Sequence, residues 1–373
     1  MAKEAAERIA DQSGLAGGLI DCDVHHTLPT TSKLLEYLPE RWRDYHLQVG
    51  PRRLFEPGYY VTRPRRSNAR IDALPPSGLP AGSDLAFLRE QLLDRWNIDT
   101  AILNSGNVAH FSIQPGDYGA ALMTAINDWT LAEWLDPEPR LVSAIAVQIN
   151  EPELARREVR RLARHPRFVQ VLVTLRNADL LGNTRYWPLY REASDAGLPI
   201  GIHVGGIAGQ PLTGSGWPSY YFEVHAGHPQ AFAAQVSNLV FSGVFDDMPT
   251  LQFVLIEGGF AWVPTLAWRM DRAWQRLGAE VPNLRHEPSW YLHNHFWFTT
   301  QPIEEPEKPK QFGQILEALQ MSDRILFSTD YPHWDFDAPD RALPTDLSPQ
   351  LRRQILSGNA QRLYKFKESH NGS

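Results

Sequence analysis

Short apolar runs alternate along the chain with longer stretches in which apolar residues recur at helical spacing. The first run, LIDCDV, covers residues 19–24, and comparable runs follow, among them LVSAIAVQI, FVQVLVTL, LPIGIHV and LQFVLIE. Continuous apolar runs of this length are typical of strands that are buried on both faces of a parallel sheet. About eight strand–helix units predict an α/β fold, a closed (β/α)8 or TIM barrel. An open doubly wound sheet is the alternative, but no glycine-rich phosphate loop follows the first strand.

The helical stretches carry apolar residues on one face, as expected for helices that cover a barrel. In SDLAFLREQLLDRWNI the leucines and the tryptophan share one face, and Ser83 is expected to cap the first turn. We also expect helices over 31–47, 116–135, 185–196 and 228–242.

Two long segments depart from this alternation and predict inserted loops that distort the barrel. The segment 48–82 is rich in Pro, Gly and Arg, and the segment 205–224 carries Trp217, Tyr220 and Tyr221. These aromatic residues either form a wall or lid over a small organic substrate or pack against another subunit. The abundance of Trp, Phe and Pro in both loops favours a homodimer or higher oligomer, with a related second chain as the alternative partner.

Length, charge and cysteine content limit the class of protein. The 373 residues, 43% of them hydrophobic, suffice for one barrel, so we expect an N-terminal extension over 1–18 and a single domain over 19–373. A net charge of −7 without a basic stripe argues against nucleic acid as a partner. No apolar run of about 18 residues indicates a membrane span, and the N-terminus does not resemble a secretory signal. The single cysteine, Cys22, fits a reducing cytosol, so we expect a cytoplasmic protein.

Polar residues stand at the ends of several predicted strands, where barrel enzymes place their active sites. The first strand ends in Asp23 and His25, and later strands end in His203, Glu257 and Asp330. Because Asp23 and His25 lie two residues apart on a strand, they face the same side and can bind one metal ion. Imidazole nitrogens and carboxylate oxygens together suit Zn, Mn or Fe.

Each of these residues also has a structural explanation, since a histidine after a strand is more often a loop residue and a glutamate can cap a helix. That explanation would have to hold independently at the ends of four strands, so we favour a metal site. Asp21 and His26 are expected to be structural, because alternation along the strand is expected to point them away from the Asp23 and His25 face.

The motifs together resemble the amidohydrolase-related family of the amidohydrolase superfamily, and more closely its decarboxylase-like branch. The resemblance rests on LIDCDVHHTLP, LPIGIHVGG, the FSGVFDDMPTLQFVLIEGGFAWVPTLAWRMDRAW segment, LFSTDYPHWD and GNAQRLYKF, and it covers about 20–366. It implies a distorted (β/α)8 barrel with a divalent metal held by Asp23, His25, His203 and Asp330.

One departure from the family pattern bears on mechanism. Many relatives carry a catalytic histidine where this chain has Glu257, which offers a further carboxylate near the metal. His225, His228 and His333 add to an excess of candidate ligands, which either orient the first ligands or hold a second ion. We therefore expect one or two divalent ions, with Glu257 and His225 among the metal ligands.

Three activities fit this pattern, and all act on a small-molecule substrate. The first is a hydrolase in which a metal-activated water attacks the substrate, with Glu257, Asp330 and His228 as catalytic residues. The second is a dinuclear iron or manganese hydroxylase, similar to enzymes of this fold that act on aminoisobutyrate. The third is a nonoxidative decarboxylase, which the replacement of the catalytic histidine by Glu257 counts against. A scaffold that binds no metal would lack some of the ligands, and none is missing.

Overall fold

The computed structural model describes residues 18–51, 68–206 and 211–366, and the fold is the predicted (β/α)8 barrel. Eight strands lie in one sheet in the order β1 to β8, and all neighbouring strands are parallel. The sheet returns to its start, because the Cys22 amide donates to the Phe327 carbonyl (2.9 Å) and Val24 pairs with Tyr331. The strands are β1 Leu19–Val24, β2 Ile98–Leu103, β3 Leu141–Ala146, β4 Phe168–Arg176, β5 Ile200–Gly206, β6 Phe253–Ile256, β7 Phe296–Thr299 and β8 Ile325–Leu326.

Helices follow the strands and cover the outside of the barrel. The α-helices are α1 Glu40–Gln48, α2 Leu85–Leu88, α3 Val108–Phe111, α4 Gly116–Thr130, α5 Pro152–Leu162, α6 Trp187–Asp195, α7 Tyr221–Ser242, α8 Val244–Asp247, α9 Val263–Leu277, α10 Pro288–His295, α11 Pro309–Leu319, α12 Pro349–Arg353 and α13 Asn359–Tyr364. Three of them run into π-helical turns at Arg89–Asp94, Leu131–Leu135 and Gln354–Gly358, and short 3-10 turns include Thr31–Glu36.

Burial explains why the strands read as continuous apolar runs. Every residue of β1, β3, β6, β7 and β8 is buried. The core between sheet and helices is built from large side chains such as Trp129, Tyr190 and Phe253. This core fixes the strand ends, so the polar residues that follow them are held on a rigid frame.

Two expected boundaries differ from the structure. Asp84, not Ser83, caps α2, because its side chain accepts from the Phe87 amide (3.1 Å), whereas the Ser83 hydroxyl bonds the Pro80 carbonyl. Helix α7 begins at Tyr221, seven residues before the predicted start. The Glu223 side chain accepts from the amides just before the helix, at 2.6 Å each, and so starts it in the segment that the sequence had suggested was a loop.

Parts of the sequence predictions lie outside the described residues. The N-terminal extension is described only from Gly18, and the long insertion only up to residue 51 and from 68 onward. Within the described ranges, no helix is long and apolar enough to cross a bilayer.

Candidate metal centre

The end of β1 supplies Asp23 and His25, and Asn104 after β2 holds both. The His25 Nδ1–H donates to the Asn104 carbonyl (2.8 Å), which leaves the Nε2 lone pair facing the barrel mouth. The Asn104 side-chain amide donates to Asp23 Oδ1 (2.8 Å). The other oxygen, Asp23 Oδ2, is buried and makes no hydrogen bond. Both residues thus present one ligand atom each to the same space.

The end of β5 supplies His203 in a matching arrangement. Its Nδ1–H donates to the Val204 carbonyl (2.8 Å), so the Nε2 lone pair is available. His203 Nε2 lies 2.8 Å from Glu257 Oε1 and 3.8 Å from Asp23 Oδ2. This buried nitrogen nevertheless lies out of line for a hydrogen bond with either oxygen. Close atoms that do not bond one another are expected when both are ligands of one ion.

Glu257 and Asp330 follow β6 and β8 with left-handed backbones, at φ of 61° and 58°. Residues other than glycine pay about 1–3 kcal/mol for such conformations and keep them where the surroundings enforce them. Thr299 bonds the Glu257 amide (3.1 Å), and the Asp23 carbonyl accepts from the Asp330 amide (3.0 Å). The strained turns direct two more carboxylates at the histidines.

Asp330 lies between two histidines. His25 Nε2 is 2.9 Å and His333 Nδ1 is 2.6 Å from Asp330 Oδ1, while His25 Nε2 is 3.3 Å from Glu257 Oε1. Two overlapping groups of metal-ligating side chains result, one of Asp23, His25, His203 and Glu257 and one of His25, Glu257, Asp330 and His333, each with ligand atoms within 4.8 Å of one another. Of the four residues that the resemblance implied, Asp23, His25 and His203 lie in the first group together with Glu257. Asp330 lies in the second group, with His333.

The chemistry of this cluster fits a divalent cation. Its ligand atoms are carboxylate oxygens and imidazole nitrogens without sulfur, which suits manganese, iron or zinc. Asp23 Oδ2 and His203 Nε2 are buried polar atoms without a hydrogen bond, and a bound cation would satisfy both. The tautomers of His25 and His203 already leave Nε2 unprotonated when neutral, as ligation requires.

The pKa values show how strongly the groups interact. Burial opposes the charged form of His203, but Glu257 and Asp23 outweigh it and raise its pKa to about 9. Burial likewise opposes charge on Glu257, yet His203 and His25 hold its pKa well below the ordinary value. Burial and the charge of Glu257 raise the pKa of Asp330 well above the ordinary range. Without a cation, the cluster therefore retains protons that a metal ion would displace.

Two other predicted residues lie outside both groups. His225 Nε2 pairs with Asp335 Oδ2 (2.8 Å), and His225 and His228 are neighbours on α7 with ring centroids 5.8 Å apart. Burial lowers the pKa of His228 to about 4, so the ring is neutral near pH 7. The structure thus places His225 and His228 in the wall of the cavity, apart from the metal-ligating groups.

Asp21 and His26 take up structural positions. Asp21 accepts from the Thr329 hydroxyl (2.6 Å) and from the Thr329 amide (3.0 Å), which ties β1 to the end of β8. His26 bonds the Thr130 hydroxyl (2.7 Å) and stacks on Trp129. The reason expected for Asp21 was wrong, because residues two apart on a strand face the same side and alternation does not turn Asp21 away from Asp23. The hydrogen bonds to Thr329 are what keep Asp21 out of the metal-ligating groups.

A cavity of about 870 Å³ opens over the cluster. Its walls combine the metal-ligating side chains with apolar and aromatic groups, and Arg176 at the end of β4 is the one Lys or Arg among the described residues that line it. Trp217 and Tyr221 belong to this lining, as the aromatic-wall interpretation predicted. Tyr220 is 64% exposed and stacks on Phe222 instead.

The barrel and the cluster at its mouth define a metal-binding barrel enzyme of the amidohydrolase superfamily. The sequence model of the family described as Amidohydrolase matches residues 20–366. The chain therefore belongs to this family, as the sequence motifs indicated.

Known relatives of this chain are decarboxylases. The gamma-resorcylate decarboxylase of Polaromonas sp. is 29% identical over 301 residues, which are 76% of this chain and 88% of the relative. The enzyme of the same name from a Rhizobium species is 27% identical over 303 residues, with the same shares covered. These relatives match the decarboxylase alternative and lend no support to the hydrolase or the hydroxylase.

Solved structures establish the fold independently. A dihydroxybenzoic acid decarboxylase from Polaromonas sp. with bound manganese and 2-nitroresorcinol has a TM-score of 0.65 at 24% identity, covering 94% of this chain and 97% of that one. A 5-carboxyvanillate decarboxylase from Novosphingobium aromaticivorans, also with bound manganese, reaches 0.71 at 18% identity, covering 96% and 99%.

Sequence reasoning missed Asn104 and Arg176. Asn104 follows the apolar run of β2, so its position at a strand end was a usable signal. Arg176 is the last residue of β4 and follows its apolar run in the same way. Both were passed over because amide and guanidinium groups are not typical metal ligands.

Proposed function

We propose that the protein is a metal-dependent nonoxidative decarboxylase of a small aromatic carboxylic acid. The observation that carries the proposal is the cluster of Asp23, His25, His203 and Glu257 at the mouth of the barrel. The curated relatives, whose sequences match over 88% of their length, are decarboxylases. Manganese is the proposed cation, since the ligands are oxygen and nitrogen atoms and two structural neighbours hold this metal.

The cation would be held by Asp23, His25, His203 and Glu257. Asp330 lies next to this group, because its Oδ1 is 2.9 Å from His25 Nε2. A bound divalent cation would attract the substrate carboxylate and stabilise the negative charge that develops during the reaction. The buried ligands fix its place, since their other polar atoms are already held by Asn104 and Val204.

Asp330 is the proposed proton donor. Its raised pKa keeps a proton near the cavity, and His25 and His333 flank the oxygen that would carry it. The proton passes to the ring carbon that bears the carboxylate, the bond between that carbon and the carboxylate breaks, and its electrons restore the ring as carbon dioxide leaves. His333, which lies 2.6 Å from Asp330, then returns a proton from solvent.

The cavity fits a flat anionic substrate. Trp217 and Tyr221 offer apolar faces for a ring, and Arg176 offers a positive charge for an anionic group. The described part of the cavity wall carries carboxylates at Glu257, Asp330 and Asp335, and Arg176 offsets part of the charge that an acidic substrate brings.

The test is carbon dioxide release by the manganese-loaded protein from 2,6-dihydroxybenzoate and 5-carboxyvanillate. Asp330→Asn keeps the shape of the side chain and removes the transferable proton, so we expect turnover to fall by about 10²–10⁴-fold. Release that persists at the wild-type rate in this variant would contradict the assigned role.

A dinuclear centre that activates oxygen is the second candidate, and the two overlapping groups favour it. They share His25 and Glu257, and since one imidazole nitrogen binds one ion, Glu257 is the shared side chain that could serve both. Asp330 and His333 would then help to hold the second ion. Elemental analysis distinguishes the candidates: about one ion per chain is expected for the decarboxylase, and two iron or manganese ions with oxygen uptake for the alternative.

A further inference from the structure

A chain of hydrogen bonds runs from the C-terminal helix through the inside of the barrel to Asp23. The Tyr364 hydroxyl of α13 donates to Gln170 Oε1 (2.9 Å). Gln170 Nε2 donates to Asn104 Oδ1 (3.3 Å), and Asn104 Nδ2 donates to Asp23 Oδ1 (2.8 Å). Asp23, Asn104 and Gln170 are fully buried, so the two bonds that join them lie away from solvent, and Tyr364 is half-buried.

The direction of every bond in this chain is fixed. The Asp23 carboxylate can only accept, so Asn104 must turn its Nδ2 toward Asp23 and its Oδ1 toward Gln170. Gln170 must then donate through Nε2, which leaves Gln170 Oε1 to accept from the Tyr364 hydroxyl. If the Asn104 amide were reversed, its oxygen would lie against the carboxylate oxygen of Asp23, and two acceptors would repel one another. The chain therefore holds Asn104 in the one orientation that donates to Asp23.

Asn104 also uses its backbone at the site. Its carbonyl accepts from His25 Nδ1 (2.8 Å), and its amide donates to the Val24 carbonyl (2.9 Å). One residue thus orients both ligands from β1. It binds one oxygen of Asp23 and leaves the other, Oδ2, buried without a hydrogen bond.

The absence of a side chain at Gly201 on β5 leaves room for the Gln170 amide. A Cβ on Gly201 would lie 2.5 Å from Gln170 Nε2 and 3.0 Å from Ile256 Cδ1, so any side chain there would displace the Gln170 amide. Glycine at this position is explained by the close approach of the amide.

We propose that Asn104 is a positioning residue of the metal centre, and that Gln170 and Tyr364 hold it in the orientation that donates to Asp23, so that a helix outside the cavity tunes metal affinity. The proposal rests on the metal centre of the proposed function. It assigns a role to three residues, Asn104, Gln170 and Tyr364, that are not themselves metal ligands. Partners of this kind typically contribute 10–100-fold to metal affinity.

The test measures the dissociation constant for Mn²⁺ by equilibrium dialysis, which needs no substrate. Tyr364→Phe removes one oxygen and should weaken Mn²⁺ binding by about 3–10-fold, and Asn104→Leu by about 10–100-fold. The matched control is Tyr190→Phe, which removes a buried hydroxyl that donates to the Leu181 carbonyl (2.8 Å) outside the metal-ligating groups and should leave affinity unchanged.

The double variant separates positioning from a general loss of structure. If Tyr364 acts through Asn104, Tyr364→Phe should have no further effect on affinity in the Asn104→Leu background. Effects that multiply, or a Tyr364→Phe affinity equal to that of Tyr190→Phe, would overturn the inference. The single Tyr364→Phe comparison remains decisive if Asn104→Leu does not fold. A wild-type protein that binds Mn²⁺ but releases no carbon dioxide would refute the decarboxylase alone, whereas one that binds no Mn²⁺ would refute both.

Discussion

Replacing Glu257 by glutamine should change stability in a way that depends on pH. The substitution keeps the shape of the side chain and removes the charge that lies 2.8 Å from His203 Nε2. In the metal-free protein this charge, together with that of Asp23, raises the pKa of His203 from 6.5 to about 9. Loss of this interaction should therefore destabilise the metal-free fold.

The magnitude follows from proton linkage. A histidine whose pKa is raised on folding contributes stability that is fully present below its unfolded pKa and is lost as the pH rises through its folded pKa. For His203 that window runs from about 6.5 to about 9, and the shift corresponds to about 3 kcal/mol. Because Asp23 supplies part of this shift, Glu257→Gln should cost about 1–3 kcal/mol near pH 6, and the cost should shrink toward zero above about pH 9.

Urea unfolding of the metal-free protein at several pH values measures this directly. Glu138→Gln is the matched control, because Glu138 is also buried but pairs with Arg89 (2.7 Å) and Arg140 (2.9 Å). Arginine does not titrate in this range, so the cost of Glu138→Gln should stay constant between about pH 6 and pH 9.5. A Glu257→Gln variant whose cost is equally constant would refute the assigned pairing with His203.

Further predictions follow from the site and the cavity. Binding of Mn²⁺ should release about two protons near pH 7, because His25 and His203 both have raised pKa values; calorimetry in buffers of different ionisation enthalpy counts them, and a pH-independent affinity would contradict the proton-retaining cluster. Arg176→Gln should raise KM for a benzoate substrate about tenfold or more with a smaller change in kcat, and steady-state kinetics in which only kcat falls would exclude an anchoring role. Burial raises the pKa of Asp337 to about 7, so the free energy of unfolding falls as the pH rises and the buried carboxyl must ionise. Asp337→Asn should therefore stabilise the protein above about pH 7 but not near pH 4, and equal unfolding midpoints of variant and wild type at pH 8 would contradict this.

The ligands at strand ends were predictable because a rule of position applies to them. Parallel strands give continuous apolar runs, and the first polar residue after such a run marks the barrel mouth. This located Asp23, His203 and Glu257 without any knowledge of contacts, and it worked for Asp330 although β8 itself is only two residues long.

The resemblance implied that Asp23, His25, His203 and Asp330 share a site, but the division of the ligands into two overlapping groups was not predictable, because it depends on backbone turns and strand register. Glu257 and Asp330 reach the histidines through left-handed turns that are unusual for acidic residues, and nothing in LIEGG or STDYP indicates them. The start of α7 was missed because Pro229 and the polar residues around it conceal a helix that Glu223 caps. The chain from Tyr364 to Asp23 joins residues 341 positions apart, and only the closed barrel brings them together.

The most direct test of the proposed function is carbon dioxide release under anaerobic conditions with metal-stripped and Mn²⁺-reloaded protein. With 2,6-dihydroxybenzoate or a related hydroxybenzoate as substrate, the account predicts release that depends on the metal, needs no oxygen, and consumes one proton per carbon dioxide formed. Release that is unaffected by removal of the metal, or turnover of these acids that occurs only with oxygen uptake, would contradict it.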